Sequence, residues 1–92
     1  MRKATEGKGG KRRDRLHIIA QILRMAKNGS LKTHLMYGAN LSFAQLNDYL
    51  SFLISTEFLE TTQEGSKLLY KTTSKGLEFL TNYEKIVALL GG

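Results

Sequence analysis

Residues 31–58, LKTHLMYGANLSFAQLNDYLSFLISTEF, constrain the fold more than any other stretch of the chain. Leu31 and Leu35, with Met36 beside them, lie at helical spacing and predict an inward face over residues 31–38. Gly38-Ala39-Asn40 then reads as a turn, because Gly and Asn tolerate backbone conformations that other residues resist. Leu41 is placed to plug the core between two helices. Ser42 starts the next helix, and Gln45 three residues later completes a capping box. From 43 to 56 the inward stripe is Phe43, Leu46, Leu50, Leu53 and Ile54, and the outward face begins with Ala44, Gln45, Asp48 and Ser51. Two helices joined by a tight turn, the second presented outward, form a helix-turn-helix.

The flanking segments complete the architecture. A first helix is expected over 12–27. Leu16, Ile19, Leu23 and Ala26 form one stripe, with Ile18, Ile22 and Met25 beside it. So wide an apolar surface predicts contact on two sides, with the core and with a second subunit. Asn28-Gly29 ends this helix, and Ser30 is expected to cap the next. Residues 58–62 and 67–72 read as strands around a turn at 63–66. Thr73 or Ser74 caps a last helix over 74–90. The expected fold is mainly α with a β-hairpin: a winged helix-turn-helix of three helices and a two-stranded wing, with a C-terminal dimerisation helix. The predicted organisation is a disordered basic arm at 1–11, the winged helix-turn-helix domain at 12–73 and the dimerisation helix at 74–92.

Charge is unevenly placed. Of 92 residues, 14 are basic and eight acidic, for a net charge of +6. Residues 1–15 hold seven of the basic residues and two acidic ones, net +5, so the body is close to neutral. A basic arm points to a polyanion, most often nucleic acid. Lys11, Arg12, Arg13 and Arg15 lie where the first helix begins, and arginines on such an arm reach adjacent grooves. With no cysteine, disulfides, thiolate nucleophiles and cysteine-based metal sites are excluded. No apolar run approaches twenty residues, so no membrane span is expected. The N-terminal MRKATEGKGGKRRDR has no apolar core of a secretory signal. A cytoplasmic, nucleoid-associated location follows as an expectation.

Two longer segments carry a family resemblance. KTHLMYGANLSFAQLNDYLSFLISTEFLE and KLLYKTTSKGLEFLTNYEKI resemble the archaeal winged-helix family of small basic DNA-binding proteins, some of them associated with chromatin. The shared pattern is K-T-x-x-M-Y-x-A-N-L-S, a Y-L-x-x-L helix and Y-x-x-T-x-K-G-x-x-F-L, and the likeness spans roughly residues 12–86. It implies double-stranded DNA binding and a homodimer joined through the C-terminal helices, which pair as an antiparallel coiled coil in some members. It places Lys32, Thr33 and His34 near the DNA backbone, Ser42 through Asp48 at the start of the recognition helix, and Lys67 and Lys71 on the wing. In one respect the chain departs from the pattern. Residues 42–56 contain no basic residue and one acidic residue, Asp48. Gln45, Asn47 and Ser51 still have the chemistry to read base edges, while phosphate grip falls to the arm and wing.

The last helix carries Leu80, Tyr83, Val87 and Leu90 at seam spacing, widened by Leu77, Phe79, Ile86 and Leu89, as a short coiled coil requires. Phe52, on the polar side of the third helix, is expected under the last helix or in the dimer contact. His17 and His34 have no acidic or cysteine cluster around them, so no metal is expected. No nucleophile–base pair, carboxylate pair or phosphate loop is present, so neither enzyme activity, a small-molecule substrate nor a cofactor is expected. The alternative to DNA binding is a protein-interaction module on the same scaffold, favoured by the neutral third helix. RNA binding through the arm is a third reading.

Overall fold

The computed structural model describes residues 14–91. The elements are α1 (Arg15–Met25), α2 (Lys32–Gly38), α3 (Phe43–Ser55), β1 (Leu59–Glu64), β2 (Lys67–Thr72) and α4 (Ser74–Leu89). Helices and an antiparallel hairpin follow in the expected order. The predicted arm and the start of the predicted first helix, residues 1–13, lie outside the described residues.

α1 begins at Asp14, whose carboxylate accepts the His17 N–H at 2.7 Å and so satisfies one of the unpaired donors of the first turn. The helix is central: it packs against α2, β2 and α4. Both of its apolar stripes are therefore absorbed by its own domain. Ile18, Ile19, Ile22 and Leu23 are all buried within one chain, so the width of the stripe needs no second subunit to explain it. Leu16 is the exception and stays half exposed.

Ser30 does not cap α2. Its N–H donates to the Tyr70 carbonyl at 2.9 Å and its carbonyl accepts the Tyr70 N–H at 2.8 Å, a one-residue bridge to β2. A strand edge left unpaired in a small body needs partners, and this segment supplies them. α2 then starts from Leu31, without a side-chain cap. The turn that follows has Asn40 at φ 56°, and the Leu41 N–H returns to the Met36 carbonyl at 3.0 Å.

The capping box on α3 is complete. Ser42 Oγ accepts the Gln45 N–H at 3.1 Å, and Gln45 Oε1 accepts the Ser42 N–H at 2.9 Å. Leu46, Leu50 and Leu53 are buried, as expected. Phe43 and Ile54 are not: they are 60% and 40% exposed. Helical spacing aims them near the core, but they stand at the flanks of the stripe and keep much of their surface open, Phe43 with the Lys32 ammonium over its ring.

The hairpin is tighter than the sequence implies. Gln63 pairs with Leu68 and Glu64 with Lys67, so the turn is Gly65-Ser66 alone. Gly65, at φ 62°, takes the corner that requires glycine. α4 is capped by Thr73, whose Oγ1 accepts the Gly76 N–H at 3.0 Å and donates to the Glu57 carbonyl at 2.6 Å. A Cβ on Gly76 would lie 2.3 Å from the Phe58 carbonyl oxygen, so only glycine lets α4 start this close to the body. Phe79 then packs against Phe58 with ring centres 5.2 Å apart and planes tilted by 33°.

Leu80 is 2% exposed inside its own domain and cannot serve as a dimer-seam residue. The first half of α4 is thus part of the core. Beyond Tyr83 the helix is covered on one side only: Val87 is half buried beside His17 and Arg24 of α1, while Ile86, Leu89 and Leu90 are exposed. Arg24 Nε meets Glu84 Oε2 at 3.4 Å, a half-exposed pair that tethers this segment weakly.

Candidate nucleic-acid interface

The outward surface of the helix-turn-helix is built by α2, its turn and the first two turns of α3. Thr33 and His34 are exposed on α2, as are Ala44, Gln45, Asp48 and Ser51 on α3. These polar side chains, singled out in the sequence, are all exposed. Two of them have little freedom. Ser42 and Gln45 hold each other in the capping box, so Gln45 offers its amide nitrogen outward while its oxygen is engaged. Lys32 is half buried, with its ammonium 4.4 Å from the centre of the Phe43 ring.

α3 has no positive charge of its own, but one is delivered to it. The Arg15 guanidinium lies 4.8 Å from the Phe52 ring centre and 5.6 Å from that of Tyr49. Arg15, Gln45, Asp48 and Tyr49 line one shallow recess. Arg15 thus joins the exposed face of α3 from α1. It also answers the question of Phe52, which lies under this guanidinium and remains partly exposed. Helical periodicity does not reveal this pairing, because the two residues lie far apart in the chain. Lys11, Arg12 and Arg13, which lead into Arg15, lie outside the described residues.

The wing is weaker electrostatically than its lysines imply. Lys67 stands opposite Glu64, and Lys71 opposite Glu60, in the antiparallel register. Opposite charges at facing positions stabilise a hairpin modestly, and they cancel its charge as a phosphate-binding surface. The two-residue turn creates this alignment, and a four-residue turn would have lost the facing of Glu64 and Lys67.

Among the described residues no three His, Asp or Glu side chains converge as a metal-binding group, and no helix is long and apolar enough to cross a membrane.

A helix-turn-helix held by a third helix and followed by a two-stranded wing defines a winged helix-turn-helix protein. The chain belongs to that family: residues 12–90 match the winged helix-turn-helix family model. It is 36% identical over 80 residues to an uncharacterised protein of Methanocaldococcus jannaschii, covering 86% of this chain and 36% of that relative's length. Among solved structures it is similar to Sso10a-2, a DNA-binding protein from Sulfolobus solfataricus, with 25% identity and a TM-score of 0.76 over 86% of this chain and 83% of that one. AF1382 from Archaeoglobus fulgidus shares the fold, with a TM-score of 0.68 at 15% identity over 84% of this chain and 87% of that one.

Proposed function

We propose that the chain binds double-stranded DNA as a homodimer, in the role of a chromatin-associated factor or transcriptional regulator. The observation that carries this reading is Arg15 held against α3. It continues the basic run Lys11, Arg12 and Arg13 onto the exposed face of the helix-turn-helix. The arm supplies the counterion-releasing contacts that dominate affinity for DNA, and Gln45, Asn47 and Ser51 face base edges. Likeness to Sso10a-2, itself a DNA-binding protein, supports the same conclusion. The two copies join through the part of α4 that is covered on one side only, with Ile86, Leu89 and Leu90 extending the line of Tyr83 and Val87.

The test is a salt titration of binding to random duplex, comparing the wild type with Arg12→Ala/Arg13→Ala. The double variant is expected to weaken binding to all sequences and to lower the salt slope by about 2. Unchanged affinity at low salt defeats the role of the arm. The second reading, a protein-interaction module, is favoured by α3 itself, whose residues include Asp48 and no basic side chain, and by the exposed Phe43 and Ile54. Absence of duplex binding at ~50 mM salt, where electrostatic contacts are strong, decides for it.

A further inference from the structure

We propose that Phe43 reads thymine, by packing its ring on the C5-methyl group in the major groove. The inference rests on the duplex-binding reading above and adds a base preference to it. Phe43 is the first residue of α3, and the first turn of a recognition helix is the part that meets base edges. It is 60% exposed, so much of the ring is open to a ligand. The Lys32 ammonium sits 4.4 Å from the ring centre and holds the ring at the surface. Ala44, next in the chain, is also exposed.

The chemistry left at this turn is apolar. Guanine is usually recognised by arginine or lysine; residues 42–56 contain neither, and the two cations brought to this face are engaged on rings, Lys32 on Phe43 and Arg15 on Phe52 and Tyr49. Paired recognition of adenine by Gln45 needs its amide oxygen, which already accepts the Ser42 N–H at 2.9 Å. The thymine methyl is the one apolar group that a standard base pair places in the major groove, and phenylalanine is suited to it. Phe43 therefore adds a modest preference for A·T pairs to a grip supplied by the arm.

Binding is measured by fluorescence anisotropy on an A·T-rich duplex and on the same duplex with deoxyuridine in place of thymidine. Wild type is expected to bind the thymine duplex about fourfold more tightly for each methyl contacted. Phe43→Ser is expected to bind both duplexes equally, with a circular-dichroism melt confirming its fold. A G·C duplex carrying 5-methylcytosine restores a methyl at the same groove position without A·T shape, and the wild type is expected to prefer it over unmodified G·C. Equal wild-type affinity for the thymine and deoxyuridine duplexes overturns the inference, as does a preference that survives in Phe43→Ser. Loss of all duplex binding, even at low salt, is a different result: it defeats the DNA-binding reading itself, and this inference with it.

Discussion

The guanidinium carbon of Arg15 lies 4.8 Å from the centre of the Phe52 ring, so the first residue of α1 is fastened to the middle of α3. A cation is thereby built onto a helix whose own sequence has none.

Removing this contact has two separable effects. Arg15→Ala is expected to lower stability by about 0.5–1 kcal/mol, the range for a cation over an aromatic ring at an exposed site. It is also expected to reduce the salt slope of duplex binding by about 1. Arg15→Lys keeps the charge but loses the broad guanidinium that reaches both rings, so its slope should be retained while stability still falls. Denaturation and anisotropy on the same three proteins check both effects.

Thr72 ties the wing to α1. Its hydroxyl donates to the Leu23 carbonyl at 2.7 Å in a buried setting, across 49 positions of sequence. Thr72→Val preserves shape and leaves that carbonyl without its hydroxyl partner, at an expected cost of about 1–3 kcal/mol. Thr72→Ser should retain most of the stability. Urea midpoints at fixed protein concentration, with an unchanged m-value, provide the measurement.

Two glycines at close approaches should respond differently to alanine. At Gly76 an added Cβ meets the Phe58 carbonyl oxygen at 2.3 Å, a backbone atom that cannot swing aside. At Gly38 it meets the Met25 methyl at 2.0 Å, the far end of a flexible side chain. Gly76→Ala is expected to lose about 1–3 kcal/mol or more through overpacking. Gly38→Ala is expected to lose clearly less, since Met25 is free to change rotamer and alanine favours helix by about 1 kcal/mol. Thermal melts of the two variants side by side test the ranking.

The proposed dimer seam makes its own prediction. Ile86→Glu/Leu90→Glu falls on exposed positions of α4 and its C-cap and should leave the monomer fold intact while abolishing the dimer in sedimentation equilibrium. Leu80→Ala, inside the core, should instead cost about 2–5 kcal/mol of stability. A wild-type protein that sediments as a monomer removes the seam.

Much of the helix-turn-helix was legible because its signals are local. Ser42 and Gln45 form the predicted capping box, Thr73 caps α4, and Leu46, Leu50 and Leu53 of the predicted stripe are buried while its flanks, Phe43 and Ile54, are not. Ser30 shows where local reading ends. As a capping residue it was matched to α2, but its backbone is claimed by Tyr70, forty positions away in the chain. Leu80 shows the same limit for periodicity, which gives the direction of a side chain on its helix and not what lies opposite. The wing lysines were visible as charges, while the glutamates facing them depended on a turn two residues shorter than expected.

The amino-acid sequence by itself determined the element order, the helix start set by Ser42, a cap for α4 at Thr73 or Ser74, the buried leucines of α3 and the concentration of positive charge before residue 16. These follow from interactions spanning a few residues, where cap chemistry and helical repeat act. Tertiary structure alone decided that α1 is enclosed on several sides, that Leu80 is core, that Phe43 stands in solvent under Lys32, and that Arg15 lends its charge to α3. Each of these depends on surfaces distant in the chain being brought together, and burial and electrostatic pairing are properties of the assembled surfaces.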